Sequence, residues 1–167
     1  MSTSGRERTS VDAAPGAGRR GERGAALVEL AVALPLLAVI LVGTIDFGRA
    51  FRTAMIVTNA ARAGALYGSH SLPNAGDTAG MAAAATAVLT SNGLTAGGAP
   101  SASRNCYCAD TAGTFGAAVA CNTTCASGQH IVATVTVTAT RTFSMTAPFP
   151  GLPTTVVITR GATARVQ

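Results

Sequence analysis

The stretch GERGAALVELAVALPLLAVILVGTIDFGRA, residues 21–50, decides how this chain folds. From Ala25 to Ile45 it has 21 residues that are interrupted by a single charge, Glu29. At 1.5 Å rise per residue, a helix of that length spans roughly 32 Å, close to the ~30 Å hydrocarbon thickness of a bilayer. We therefore predict a transmembrane helix over residues 24–45. Pro35 should kink this helix without ending it, because prolines are tolerated within membrane helices.

The basic residues on either side of the apolar run predict its orientation. Arg19, Arg20 and Arg23 precede the run, whereas Arg49 and Arg52 follow it. By the positive-inside rule, the N-terminus should be cytoplasmic and the C-terminal part extracytoplasmic. Residues 1–23 have too few large apolar side chains to form a core, so we expect a disordered cytoplasmic tail or leader there. The run is too long for a cleavable secretory signal, and no A-x-A site closely follows it.

Glu29 is the unusual residue of this segment. A charge at the centre of a membrane helix costs roughly 2.5–3.5 kcal/mol, whereas each Leu, Ile or Val returns only a few tenths. In one interpretation, Glu29 lies near enough to the membrane surface to reach water or to pair with Arg20 or Arg23. In another, a new amino terminus is made at Ala25, and Glu29 of one chain neutralises that ammonium group on a neighbouring chain.

Several short motifs lie in the segments RRGERGAALVELAVALPLL (19–37) and GTIDFGRAFRTAMIVTNAARAGA (43–65). These are Gly24 with Glu29 five residues later, Pro35, DFGR at 46–49 and NAAR at 59–62. Together they resemble the TadE-like family, the pilus-assembly pseudopilins of bacterial tight-adherence secretion systems, over about residues 20–68. The resemblance implies that a prepilin peptidase cuts between Gly24 and Ala25, and that Glu29 is the acid that pilin-like proteins carry.

The helical pattern continues beyond the membrane segment, over residues 46–68, because apolar residues recur at three- to four-residue spacing and no proline intervenes before Pro73. Asp46 and Arg49 are expected to form a solvated pair worth only tenths of a kcal/mol. Small residues would let another surface approach closely, either the chain's own sheet or a partner helix. They are Ala50, Ala54, Ala61, Gly64 and Gly68.

Residues 69–167 are predicted to form an extracytoplasmic α+β domain. A short second helix is expected at about 78–91, with Asp77 or Thr78 as its cap and Gly93 as its stop. Two-residue alternation indicates strands in 130–143, where the odd positions are mostly apolar, and in 154–166, where the even positions are mostly apolar. If the two strands pair antiparallel, odd residues must face even residues for both apolar sets to share a face.

Four cysteines occur as CYC at 106–108 and CNTTC at 121–125. An extended CYC projects both thiols from one face, so two disulfides are feasible. Either Cys106 pairs with Cys125 and Cys108 with Cys121, or the pairs are crossed, and the sequence leaves this choice open. The C-x2-C spacings usual for zinc are absent, and export would place these thiols in an oxidising compartment. We expect disulfides and no metal.

The composition argues against an enzyme and against a nucleic-acid binder. His70 and His130 are the only histidines, and no acid lies near either in sequence. Phosphate-binding glycine loops, H-E-x-x-H and calcium-type acid ladders are all missing from the sequence. The twelve arginines give a net charge of +5, but beyond the N-terminal region they are scattered without aromatic interleaving. No cofactor is expected.

The sequence thus predicts an α+β, pilin-like protein: a long N-terminal transmembrane helix that extends out of the bilayer, a second short helix, and a small antiparallel sheet with disulfides. The resemblance implies a single-pass protein of the bacterial cytoplasmic (inner) membrane that assembles or primes a secreted adhesive pilus. Its partners would be the membrane, other pilin-like subunits, pilus-assembly proteins and prepilin peptidase. The alternative is a permanently anchored extracytoplasmic module that binds a cell-envelope component or a partner protein.

Overall fold

The computed structural model describes residues 18–95, 97–146, 151 and 153–167, with side chains from residue 24 onward. It has two compact units, Met1–Leu41 and Val42–Gln167. Most of the predicted tail at 1–23 lies outside the described residues. The elements in chain order are helices α1 (Gly18–Ser69), α2 (Leu72–Gly76) and α3 (Thr78–Ser91), then strands β1 (Ser101–Ala109), β2 (Phe115–Val119), β3 (His130–Ser144) and β4 (Thr155–Arg165).

Helix α1 is the longest element, with 52 residues. It begins at Gly18, six residues before the predicted membrane segment, and it continues through Pro35 without interruption. Among the described residues, it is the one helix long and apolar enough to cross a membrane. Its apolar window has no buried residue.

The second unit is built on a four-stranded antiparallel sheet in the order β2-β1-β3-β4. In the central pairing, Val135 faces Ala164 and Val137 faces Ala162, so odd residues of β3 meet even residues of β4. This confirms the predicted register rule. The apolar sets of both strands therefore lie on one face of the sheet, where Val135, Val137 and Ile158 are buried.

The core forms where the second half of α1 and helix α3 cover that apolar face. It consists of Ile56, Val57, Ala60, Ala61, Ala65, Ala75, Met81, Ala85, Leu89, Val135, Val137, Ala139, Phe143 and Ile158. A Cβ added at Gly64 would lie 2.7 Å from the Met81 carbonyl oxygen and 2.9 Å from a Val137 methyl group. Gly64 thus permits a close helix–helix and helix–sheet approach that alanine would block.

Helix α3 matches the predicted range of 78–91, and its cap explains where it begins. The Asp77 carboxylate accepts a hydrogen bond from the Gly80 N–H at 2.8 Å and another from the Tyr67 hydroxyl at 2.9 Å. After the helix, Gly93 adopts a φ of +72°, which favours glycine. These two residues fix both ends of α3.

Helix α2 and strands β1 and β2 were not predicted. The turn-forming residues at 69–77 contain a five-residue helix, because the Ser71 side chain caps it by accepting from the Asn74 N–H. Strand β1 pairs with β3 along its whole length, from Ser101 opposite Thr138 to Ala109 opposite His130. That pairing depends on a distant strand, so local residue patterns do not reveal it.

Two disulfides join β1 to the segment after β2. Cys106 bonds to Cys121, and Cys108 bonds to Cys125. This is the crossed alternative of the two pairings that the sequence left open. Both β1 cysteines project from the same face because they lie two residues apart in an extended strand. The bridges hold residues 109–129 against the sheet, where few large apolar side chains are available to do so.

Candidate functional site

The apolar surface of α1 in the first unit is the most prominent candidate for an interaction site. Its large side chains are more than half exposed, and they follow one another around the helix without a polar face. They are Leu27, Val28, Leu30, Val32, Leu34, Leu36, Leu37, Val39, Ile40 and Leu41. A helix that is apolar on all sides needs lipid or other apolar helices around it, which fits a membrane segment.

The predicted processing residues lie at the start of this surface. Gly24, Ala25 and Glu29 are all exposed, and no atom outside the helix backbone lies within 4 Å of the site of an added Gly24 Cβ. Among the residues with described side chains, none forms an ion pair with Glu29. Gly24, Ala25 and the Glu29 side chain therefore lie on an exposed surface of the described part of α1.

Just beyond the predicted membrane segment, Asp46 anchors helix α1 to the end of strand β3. Its carboxylate accepts hydrogen bonds from the Thr146 N–H at 2.9 Å and the Thr146 hydroxyl at 2.7 Å. Arg49 donates to the same carboxylate at 2.9 Å, and its guanidinium lies 5.4 Å from the centre of the Phe143 ring. The expectation of a solvated Asp46–Arg49 pair is wrong, because Asp46 is only 7% exposed.

The sequence could not reveal this cluster because its members are far apart along the chain. Asp46 and Thr146 are separated by 100 residues, and no local pattern marks Thr146 or Phe143 as partners of the DFGR motif. The available signal was the motif itself, an acid and an arginine one helical turn apart at the end of an apolar segment. That signal identified the helix side of the cluster and missed the sheet side.

The predicted helix-packing residues occupy the inner face of α1 in the second unit. Ala61, Gly64 and Gly68 are buried, and Ala50 and Ala54 are partly buried against the core. Gly64 and Gly68 both face Met81 of α3 and strand β3. The structure therefore brings these small residues together against the domain's own sheet and helix, and places none of the five on the outer face of α1.

The outer face of α1 in the second unit carries a different set of residues. Phe47, Phe51 and Met55 recur at four-residue spacing, and they are 74%, 61% and 53% exposed. Farther along, polar residues replace them, with Asn59 and Arg62 also exposed. The row of exposed apolar side chains is thus interrupted after Met55, and Leu66, which is 67% exposed, follows near the end of the helix.

A groove of about 670 Å³ opens on the sheet beside the first disulfide. Its walls include Leu72, Arg104, Cys106, Ile131 and Val166, together with Cys121, Asn122, Ala133 and Gln167. Apolar walls with one arginine and two amide side chains suit a ligand or peptide that is partly apolar. Within the described part of the chain, no group of three or more His, Cys, Asp or Glu side chains is arranged to hold a metal.

Comparison with protein families finds a match in the N-terminal part of the chain. Residues 24–66 match the TadE-like protein family, which confirms the resemblance read from the motifs. The match begins at Gly24 and includes Glu29, Pro35, the DFGR motif and Gly64. No curated protein and no solved structure matches the chain.

Proposed function

We propose that this protein is a membrane-anchored, pilin-like component that assembles or primes a secreted adhesive pilus of the tight-adherence type. The TadE-like family suggests a pilus-assembly component of tight-adherence systems, and its match runs from the processing residues to within three residues of the end of α1. The observation that carries the proposal is this match on a helix whose apolar part is entirely exposed. Such a protein has a structural role and needs no catalytic residues.

The proposed mechanism is lateral packing of membrane helices. Prepilin peptidase cuts between Gly24 and Ala25, and the new Ala25 ammonium group of one chain pairs with Glu29 of its neighbour. Each charge alone is expensive in lipid, whereas a paired carboxylate and ammonium group is tolerable. The exposed Leu, Ile and Val side chains supply the remaining contacts, so assembly is favoured only when the helices are in the register that joins the two charges.

In this proposal the chain spans the inner membrane once, with its N-terminus in the cytoplasm and residues 69–167 outside. That orientation is consistent with the arginines before the membrane segment and with the two disulfides, which persist in oxidising compartments. The Asp46–Thr146 hydrogen bonds would hold the sheet domain on the helix at the membrane exit. The domain would then be presented in a fixed orientation to other pilin-like subunits and pilus-assembly proteins.

The proposal is tested by replacing Glu29 in a bacterium whose surface pili depend on this protein. Glu29→Gln should reduce piliation at least tenfold while the amount of membrane-inserted protein stays unchanged. Glu29→Asp is the matched control because it keeps the charge, and it should retain most of the piliation. Normal piliation with Glu29→Gln would refute the charge-pairing mechanism.

The alternative of an anchored binding module is favoured by one observation, the groove beside the Cys106–Cys121 disulfide. In that case, Arg104→Ala combined with Ile131→Ala should abolish binding to the envelope or partner protein while Glu29→Gln has no effect. The two substitutions therefore separate the two functions.

A further inference from the structure

A second cavity, of about 360 Å³, lies among α1, β3 and the end of α3, and three arginines border it. Arg49 and Arg52 come from α1, and Arg141 comes from β3. The other polar residues of the wall are Thr53, Asn92, Thr142 and Ser144. Guanidinium groups and hydroxyls are the side chains that proteins use to hold phosphate.

The positive charge of this cavity is only partly balanced. Residues 42–167 contain seven arginines but only three acids, Asp46, Asp77 and Asp110. Asp77 caps α3, and Asp110 accepts a hydrogen bond from the Thr114 N–H. Of the three acids, only Asp46 balances charge at the cavity, through its ion pair with Arg49. No acid of the described residues forms an ion pair with Arg52 or Arg141.

The end of helix α3 offsets a part of this charge. A helix C-terminus carries about half a negative elementary charge. The last carbonyls of α3 accept hydrogen bonds from the N–H groups of Asn92, Gly93 and Leu94. They therefore compete little with a bound anion for the guanidinium groups. Arg141 donates to Thr95, which fixes its side chain, whereas Arg52 has no hydrogen bond to a described residue. The cavity keeps a net positive charge of more than one unit.

The position of the cavity along α1 indicates which phosphate it meets. Arg49 and Arg52 follow Ile45, the last residue of the predicted membrane segment, by about 6 and 10 Å of helix rise. Headgroup layers extend about 5–8 Å beyond the hydrocarbon on each side of a bilayer. Long arginine side chains at these positions therefore reach the depth of lipid phosphates.

We propose that Arg52 and Arg141, with Arg49 beside them, form a binding site for the phosphate of an anionic phospholipid headgroup. The inference rests on the membrane anchoring in the proposed function, but it does not require pilus assembly. The bound phosphate neutralises the unpaired arginines and holds the sheet domain at the membrane surface. An anionic lipid is favoured over a zwitterionic one because its headgroup adds no ammonium charge near the arginines.

The test uses the full chain in nanodiscs of phosphatidylcholine that contain one fifth phosphatidylglycerol. After detergent extraction, native mass spectrometry counts the lipids that remain bound. The wild type should retain phosphatidylglycerol in clear excess over its share, and Arg52→Gln and Arg141→Gln should each lower this preference about fivefold. Arg62→Gln is the matched control, because this exposed arginine of the same helix lies about 25 Å beyond Ile45 and should have no effect.

The other outcomes would overturn the proposal. If Arg62→Gln lowers the preference for phosphatidylglycerol equally, the lipid is attracted by the overall positive charge and not by a defined site. If the wild type inserts but retains the two lipids in proportion to their shares, the arginines bind another anionic ligand, such as an acidic side chain of a neighbouring subunit. If 10 mM inorganic phosphate displaces the lipid from the protein and itself stays bound, the site belongs to a soluble anion. Failure of the chain to insert into these nanodiscs would instead refute the membrane anchoring itself.

Discussion

The carboxylate of Asp46 binds both the backbone N–H and the side-chain hydroxyl of Thr146, a residue 100 positions later in the chain. This joins the start of the core-facing part of α1 to the end of β3. Asp46 is buried, and these donors together with Arg49 compensate its charge. The DFGR motif thus has a structural role in this protein, as the attachment point of the sheet domain.

Removing this attachment should destabilise the second unit. Asp46→Ala should lower the free energy of unfolding by about 2 kcal/mol, since it leaves the Thr146 N–H without its partner and removes charge-assisted hydrogen bonds. Urea unfolding of the detergent-solubilised chain measures this change. Arg49→Gln is the comparison: its side chain is 51% exposed, so its loss should cost less than about 1 kcal/mol. A larger effect at Arg49 than at Asp46 would contradict this assignment.

Two glycines of α1 should respond in opposite directions to alanine. Gly64→Ala should destabilise by about 1–3 kcal/mol, because the new methyl group meets the Met81 backbone. Gly48→Ala should stabilise by up to about 1 kcal/mol, since Gly48 has nothing within 4 Å of an added Cβ and alanine favours helix. Thermal unfolding followed by circular dichroism compares the two variants. A stable Gly64→Ala protein would show that α1 and α3 pack more loosely than described.

The elements that the sequence predicted are those with strong local signals. Alternating Thr and Val residues predicted β3 and β4 and their odd-to-even register, and the Asp77 cap with an alanine-rich run predicted α3. Strand β1 mixes polar and apolar residues, and strand β2 has only five residues, so neither shows a clear alternation, and their pairing depends on β3 and on the disulfides. Local propensity is weak there compared with tertiary contacts.

The candidate site was predictable to a similar degree. Hydropathy and spacing alone identified the membrane-type helix, Glu29 and the small residues of α1, but they left open which surface the small residues contact. The Asp46–Thr146 hydrogen bonds and the cavity among Arg49, Arg52 and Arg141 join residues about 90 to 100 positions apart. Such contacts become visible only when the sheet is placed on the helix.

The Tyr67–Asp77 hydrogen bond predicts a pH dependence of stability. The Gly80 N–H and the Tyr67 hydroxyl lower the pKa of Asp77 below its usual 3.8, whereas the hydrogen bond to Asp77, and then the Asp77 charge, raise the pKa of Tyr67 above 10.0. The Asp77 contribution is therefore present above pH 3.8 and lost as the pH falls through the lower folded pKa. The Tyr67 contribution is present below pH 10.0 and lost as the pH rises further.

Urea unfolding between pH 2 and 5 measures the acid limb of this dependence. Asp77→Asn should flatten that limb, because asparagine still caps the helix but does not titrate. Tyr67→Phe should flatten the alkaline limb in the same way. If Asp77→Asn unfolds with the same acid dependence as the wild type, the carboxylate does not contribute as described.

The disulfide pairing predicts which cysteine variants keep one native bridge. Cys106→Ser with Cys121→Ser should retain Cys108–Cys125 and lose about 3 kcal/mol, the value for a loop of about 15 residues. Cys106→Ser with Cys125→Ser removes one cysteine of each disulfide, so the remaining two cysteines lack their native partners. Thiol alkylation and mass spectrometry count the free cysteines. Higher stability of the second variant would support the other pairing.

The central claim, a pilin-like assembly component, is tested most directly by the N-terminus of the mature protein. The measurement is the intact mass and N-terminal sequence of the chain purified from its own host's membrane. The proposed function predicts a start at Ala25, which creates the ammonium group that pairs with Glu29 of a neighbour. A chain that retains residues before Ala25 would contradict peptidase-dependent assembly, and would leave Glu29 as an acid at the membrane surface of a permanent anchor.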